Sequence, residues 1–512
     1  MSTPLQALTT RLAAQLSGTG PETTTLHPPT GTVLATLRQS TAADVDHAYD
    51  RARQSQRAWA ALSPKERAKP FLALHDLVVG NAELIEVVQA ETGKSRNSAL
   101  EETLDIAGVA LYYGRHGAEF LASRKRAGAI PVATQVRELR QPKGVVGIIS
   151  PWNYPLSLGA GDAIPALLAG NAVVHKPDTQ TALTALFARE LLVKAGLPAE
   201  LWQIVIGEPA DIGDEFIAGA DHICFTGSTD AGRRIAQQAA ARLIGCTLEL
   251  GGKNPMLILD DAQIEKAVKG AVRACFSTTG QLCLSTERLY VADSIYDKFI
   301  AEFVTHTQQL TLGSGPGFDY DIGTLSLARQ FARVSEHVDD ARAKGAAVLA
   351  GGRARTELGP WFYEPTVLTE VTPEMTVYRA ETFGPVVSVY RFHDDDEAVA
   401  LANDSEYGLN ASIWTKDVAR GRCLASRIQC GTVNINEGYG SAYASNDAPM
   451  GGMKASGQGR RHGEHGILEY TELQTVGSQH FIGFDPPPGV SVELNSRILV
   501  AMYKLMKRLR IK

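Results

Sequence analysis

The chain lacks most of what would mark it as a metal-bound, membrane-spanning or nucleic-acid-binding protein. Its six cysteines, Cys224, Cys246, Cys275, Cys283, Cys423 and Cys430, are scattered. None forms a Cys-x-x-Cys or a Cys/His group with ligand spacing, so no structural metal is expected. Free thiols at this size fit a reducing setting, and a cytoplasmic location is expected. No run of 18 apolar residues occurs, so no membrane-spanning helix is expected. The opening MSTPLQALTTRLAAQLSG has no basic start followed by a long apolar stretch and does not read as a secretory signal. Positive charge is not in excess: the net charge is −6, which argues against a phosphate backbone as partner. No internal repeat or low-complexity tract is visible.

What remains is an ordinary globular composition, 44% apolar and 21% charged, over 512 residues, enough for two or three domains with real cores. Residues 19–31 are Pro/Thr/Gly-rich and read as extended. Residues 42–120 read as helical, with apolar positions such as Phe71, Leu74 and Val78 at three- and four-residue steps. Asn81 is placed to begin a helix after Gly80. From 144 the rhythm changes. GVVGIIS, NAVVHK, WQIVIG and HICFTG alternate with helical stretches at 157–169, 180–195, 209–218 and 229–240. Such alternation predicts parallel strands joined by crossover helices, with ligands at the strands' carboxyl ends. A second alternating block follows 250: NPMLIL, RLYV, AAVLAGG, VVSVYRF, ASIWT and TVNIN. The fold class expected is therefore α/β, a Rossmann-like cofactor domain followed by a second α/β domain. Residues 132–142 and 469–480 read as further strands.

Three segments carry candidate chemistry. Cys283 closes Thr279-Gly280-Gln281-Leu282-Cys283 and is a candidate nucleophile. Glu249 opens Glu249-Leu250-Gly251-Gly252-Lys253 and is a candidate general base. Asn153, in Ser150-Pro151-Trp152-Asn153-Tyr154-Pro155, offers a neutral amide to a developing oxyanion, together with the Cys283 N–H. Each has a plain alternative, in order a small buried hydrophobe, a strand-end carboxylate and a turn residue.

With these words, in this order, the sequence resembles the aldehyde dehydrogenase superfamily from about residue 30 to about 480. The resemblance implies a dinucleotide-binding domain at 25–128 and 144–250 and a catalytic domain bearing the nucleophile at 251–440. It implies a small oligomerisation β-sheet from 129–143 and 468–485, hence a homodimer or homotetramer. It also implies that an aldehyde is oxidised to its acid by NAD or NADP through a thiohemiacetal and a thioester on Cys283. Family branches that pass the acyl group to coenzyme A lack the base, so Glu249 favours hydrolysis. Cofactor contacts carry over to Trp152, to Lys176-Pro177-Asp178-Thr179, to Gly227 and Ser228 at a helix start, to Leu250, and to Glu381 and Phe383 of Glu381-Thr382-Phe383-Gly384-Pro385. Many NAD-preferring members have Glu where this chain has Thr179, so NADP is favoured, although Asp178 beside it can restore repulsion.

Within the family, QPKGVVGIISPWNYP, GPWFYEPTVLT and APMGGMKASGQGRRHG are most similar to bacterial succinate-semialdehyde dehydrogenases of the NADP type. Succinate semialdehyde is accordingly the expected substrate. The better-known enzymes of that kind supply two Arg to the carboxylate. The corresponding positions here, near Gly161 and at Ser277, have none, which leaves Arg460, Arg461 or backbone donors. Ser285 stands where a second, redox-switch Cys often stands. An apolar aliphatic or aromatic aldehyde is the rival substrate, and a cofactor-independent esterase is the alternative of another class. The tail, 490–512, is basic and amphipathic. Leu499, Met502, Leu505, Met506 and Leu509 share a face, with Lys504, Lys507, Arg508 and Lys512 largely off it. It reads either as a helix packed on a neighbouring subunit or frayed, or as a peripheral membrane-surface helix, which would suit a lipid-derived aldehyde.

Overall fold

A computed structural model describes residues 3–129, 134–480 and 485–510. The helical block begins with well-stopped elements. Thr41 and Ser63 each form a capping box, opening Ala42–Ala60 and Pro64–Val78. Asn81 caps Ala82–Thr92, which ends at Gly93 in the left-handed region. The long helix Arg96–Phe120 follows.

Six strands then form one sheet in the order Gly457–Gln458, Gly245–Glu249, His222–Thr226, Val145–Ser150, Ala172–Pro177, Trp202–Ile204. All neighbours run parallel except Gly457–Gln458, which returns from late in the chain and pairs antiparallel with Gly245–Glu249. The strands Val145–Ser150 and Ala172–Pro177 are almost wholly buried, because helices cover both faces of a parallel sheet. From Val145–Ser150 the chain builds outward on one side to Trp202–Ile204, then crosses to His222–Thr226 on the other. That reversal opens a crevice at the carboxyl ends of Val145–Ser150 and His222–Thr226, where an open α/β sheet binds its ligands.

A seven-stranded sheet forms the second layer, in the order Ala347–Ala350, Thr366–Thr369, Val386–Phe392, Thr286–Ala292, Asn254–Ile258, Asn410–Trp414, Thr432–Ile435. Only its first pair is antiparallel. A three-stranded antiparallel sheet stands apart from both. Thr471–Gln479 pairs with Thr134–Pro142 along its whole length, and Arg124–Arg126 lies outside. Beyond Thr471 every residue of Thr471–Gln479 is exposed. Parts of the expected strand segments, residues 130–133 and 481–484, lie outside the described residues. The last described element is a helix, Val492–Arg508, with no buried residue.

Candidate active site

Each candidate side chain sits at the end of a strand or in the loop that leaves it. Asn153 lies between Val145–Ser150 and the helix Pro155–Leu168. It is buried, and its Nδ2 donates to the Gln281 carbonyl at 2.8 Å. An amide nitrogen has two N–H donors, so one remains. The main chain here is held from below. Lys94, fully buried, donates from Nζ to the Asn153 carbonyl at 2.7 Å and pairs with Glu102, also fully buried. The other Glu102 oxygen accepts from the Leu156 and Ser157 N–H groups, at 3.0 and 3.2 Å, in the first turn of the helix.

Cys283 follows a strained approach. Thr278, Thr279 and Gly280 all have positive φ, 50°, 58° and 68°. Two consecutive β-branched residues in that region are costly and persist only where surroundings fix them. Here the Thr278 hydroxyl meets the Tyr154 hydroxyl at 2.8 Å. At Gly280 a Cβ would lie 2.1 Å from the Gly384 carbonyl oxygen, so only glycine fits. Beyond the turn, Asn254 Nδ2 donates to the Cys283 and Ser285 carbonyls at 2.7 and 2.8 Å.

Glu249 ends its strand paired with Gly457, and the next amide, Leu250 N–H, donates to the Ser456 carbonyl at 2.9 Å. The carboxylate is buried, and neither oxygen has a hydrogen-bond partner among the described residues. Burial pushes its pKa to about 8, with Arg461 pulling it down and Asp162 pushing it up. The Cys283 thiol is pushed up to about 12, first by burial and then by Glu249. Two groups that would both be anions share one dry site, so each discourages ionisation of the other. In the fraction that is ionised, Glu249 has free lone pairs beside the thiol and can accept a proton from it or from water.

The cleft of about 460 Å³ beside them is lined by Lys176, Gly227, Ser228 and Leu250. Trp152 and Phe383 also line it and meet edge to face at 5.6 Å. Phe383 has φ 56°, fixed from both sides: its N–H donates to Glu287 and its carbonyl accepts from Gln330 Nε2. Glu381 reaches in with Oε1 accepting from the Gly252 N–H at 2.9 Å, and burial raises its pKa to about 8. Ser228 caps the helix Thr229–Ala241 by accepting from the Ala231 N–H at 3.4 Å, and both residues line the cleft. Lys176 is buried and has no hydrogen-bond or ion-pair partner among the described residues, and burial depresses its pKa. An ammonium without an ion-pair partner, lining the same cleft as a helix start, fits a phosphorylated dinucleotide.

Asp178 also lines the cleft. It caps the turn Thr179–Thr181 by accepting from the Gln180 N–H at 3.0 Å, and it meets Arg329 at 3.5 Å. Pro177 and Thr179 are not among the lining residues and stand at its edge. Two cleft cations escaped the sequence reading: Arg329 and Arg333, one turn apart on Ala328–Ala343. No motif marks them. Their four-residue spacing on one helix face was the only signal.

On the other side of Cys283, Tyr154, Leu158, Leu282, Leu284, Tyr439 and Met450 form an apolar wall. Both arginines considered for a carboxylate are partly engaged, although Arg461 Nη1 is buried with no partner among the described residues. Arg461 binds Asp162 through two nitrogens at 2.7 Å each, and Arg460 bonds the Gly452 and Gly459 carbonyls. A different guanidinium is present. Arg273, one helical turn before Ser277, lies 5.5 Å from the Tyr439 ring centre and is 54% exposed, with Glu101 at 3.5 Å.

A family model described as "Aldehyde dehydrogenase family" matches residues 16–476. The chain belongs to the aldehyde dehydrogenase family. It is 48% identical over 481 residues, 94% of this chain and 93% of the other, to a Mycolicibacterium smegmatis protein named "Putative succinate-semialdehyde dehydrogenase" with NADP(+). Among solved structures, succinate-semialdehyde dehydrogenase from Burkholderia pseudomallei superposes with TM-score 0.86 at 34% identity, covering 90% of this chain and 95% of that one. Betaine aldehyde dehydrogenase from Staphylococcus aureus, in complex with NAD+, superposes with TM-score 0.85 at 31% identity, covering 90% and 91%. The protein is therefore an oxidoreductase that converts an aldehyde to an acid with a nicotinamide dinucleotide.

Proposed function

We propose that this dehydrogenase oxidises succinate semialdehyde to succinate with NADP as the favoured acceptor, through Cys283, Glu249 and Asn153. The observation that carries the reading is the shared dry site of Glu249 and Cys283, with the Asn153 amide beside the same loop. Glu249 takes the thiol proton and the thiolate adds to the aldehyde carbon, forming a C–S bond. The oxyanion is held by Asn153 Nδ2 and the Cys283 N–H. The dinucleotide, when bound, supplies the acceptor for the hydride that leaves that carbon. Glu249, once it has passed the thiol proton on to solvent, deprotonates water, which adds to the thioester, and the Cys283 thiolate departs. Trp152, Lys176, Gly227, Ser228, Leu250, Glu381 and Phe383 hold the dinucleotide, with Pro177, Asp178 and Thr179 at its adenosine end.

Three features support NADP. Thr179 brings no carboxylate to the ribose, Lys176 lacks a partner, and Arg329 draws off part of the Asp178 charge. The named mycobacterial relative points the same way. The apolar wall beside Cys283 supports a second reading, an aliphatic or aromatic aldehyde. The test is kcat/KM for succinate semialdehyde, butanal and benzaldehyde, each with NADP and with NAD. Butanal outperforming succinate semialdehyde sinks the first reading in favour of the second. Turnover of a phenyl ester without dinucleotide, at a rate matching aldehyde oxidation, would favour the esterase.

The three-stranded sheet supports assembly into a homodimer or homotetramer, since Leu473 and Val476 stand exposed on it. Light scattering giving a monomer mass would exclude this. All six cysteines are free, in keeping with a cytoplasmic setting.

A further inference from the structure

We propose that the C-terminal helix Val492–Arg508 is a docking device for an anionic lipid surface. The dehydrogenase reading leaves this element without a role, because the family match stops at residue 476. Pro486, Pro487 and Pro488 precede the helix in a short spacer that ends in a turn, the Val490 N–H donating to the Pro487 carbonyl at 3.0 Å. Ser491 then caps the helix, its hydroxyl accepting from the Leu494 N–H at 3.2 Å. No residue of the helix is buried, and its ion pair, Arg497 with Glu493, is internal.

At 100° per residue, Leu494, Ile498, Met502, Leu505 and Leu509 fall within one arc, and Leu499 and Met506 flank it. Ile498, Leu505 and Leu509 are 54%, 54% and 59% exposed. A soluble chain does not leave such a stripe uncovered without an occupant. The opposite arc holds Arg497, Lys504, Lys507 and Arg508.

Charge decides the occupant. Residues 494–512 contain six Lys/Arg and no Asp or Glu. The whole chain carries −6, so residues 1–493 together carry −12. A net positive charge is thus carried by the element that also exposes the apolar stripe, at the end of the spacer, while the rest of the chain is net negative. A contact between two protein surfaces mixes both signs at its rim. An interfacial helix instead presents cations alone to lipid headgroups while its apolar face enters the acyl boundary. The helix is about 25 Å long at 1.5 Å per residue, too short and too charged to cross a bilayer, and it lies in the plane of one.

The test uses the full-length enzyme with two kinds of vesicle: phosphatidylcholine alone, and phosphatidylcholine with a third of the lipid replaced by phosphatidylglycerol. The protein should sediment with the anionic vesicles and stay in solution with the neutral ones. Removing residues 491–512 should abolish binding and leave kcat unchanged. Ile498→Asp with Leu505→Asp should do the same while keeping the charge. Lys504→Gln with Lys507→Gln should weaken binding roughly 30-fold, about fivefold per cation. Absence of sedimentation with anionic vesicles overturns the proposal, as does binding that survives the deletion. Equal binding to neutral vesicles overturns the electrostatic half. A drop in oligomer mass on deletion, by light scattering, shows that a second copy of the chain covers the helix and overturns it too.

Discussion

Replacing Glu249 by Gln separates the charge of this residue from its shape. Burial holds the carboxyl protonated up to about pH 8, against an ordinary value of 4.5. The folded chain therefore keeps a proton that the unfolded chain releases. Between these two values unfolding sheds the proton, so this residue lowers the stability of the fold as pH rises, and its full cost is in place above pH 8. At 1.36 kcal/mol per pH unit the window of roughly 3.5 units sets an upper limit of ~5 kcal/mol. Glutamine cannot ionise. Glu249→Gln should match the wild type near pH 5 and unfold at progressively higher temperature than it toward pH 9. Calorimetry of the apo protein at closely spaced pH values measures the difference directly. Glu91 and Glu381, also raised to about 8 by burial, titrate in both proteins and drop out of that difference. With NADP and substrate, the variant should give a first-turnover burst of reduced cofactor, itself slowed because Glu249 also takes the thiol proton, and then a still slower steady state. A stability difference that is flat with pH, or that shrinks toward alkaline pH, refutes the argument about burial. Unchanged steady-state turnover refutes the argument about the base.

Cys283→Ala should abolish aldehyde oxidation and leave dinucleotide affinity, read by quenching of protein fluorescence, nearly intact; a tenth of wild-type turnover, about 1.4 kcal/mol of barrier, would be too much activity for a missing nucleophile. Thr179→Glu should move the NADP/NAD ratio of kcat/KM toward NAD by about tenfold or more, through repulsion of the 2′-phosphate; a ratio that stays put removes Thr179 from the specificity argument. Arg273→Met should raise KM for succinate semialdehyde about tenfold and leave butanal unaffected if this guanidinium meets the carboxylate; equal effects on both substrates mean that it only braces Tyr439. Ser277→Arg should lower KM for succinate semialdehyde and raise it for butanal, because an unpaired buried guanidinium penalises an apolar tail.

The alternating blocks were legible because period and length separated strands from helices. GVVGIIS, NAVVHK and HICFTG are strands where the apolar runs placed them. Residues 42–120 divide into four helices at Ser63, Asn81 and Ser95, each a residue type that caps a helix. Other elements were missed for identifiable reasons. The helix Thr3–Ala13 buries Leu5, Leu8 and Leu12, a helical period in a segment whose lack of a basic start and long apolar run speaks only to its not being a secretory signal. The two-residue strand Gly457–Gln458 has no period at all, and only its pairing with Gly245–Glu249 makes it a strand. Arg329 and Arg333 look like any exposed cations on an amphipathic helix, and their place at the cleft follows from the fold alone.

What sequence reading could not supply is how the site is held rigid, because that depends on groups far apart in the chain. Cys283 and Asn153 belong to different layers, and two buried arrangements tie them together. On the side of the six-stranded sheet, the Lys94–Glu102 pair grips the carbonyl of Asn153 and the first amides of the helix after it. On the side of the seven-stranded sheet, Thr278 and Thr279 hold a left-handed path that extended or helical backbone would relax. The Tyr154–Thr278 and Asn153–Gln281 hydrogen bonds join the two layers. An isolated buried ion pair gives weak net stability against apolar side chains of the same volume, whereas losing one partner costs ~3–5 kcal/mol. Strained backbone adds a further cost of about 1–3 kcal/mol per residue. A fold that retains both next to its thiol is using them for geometry. An oxyanion site must be in place before charge develops on it, since a donor that moves into position during the reaction uses binding energy on its own reorganisation.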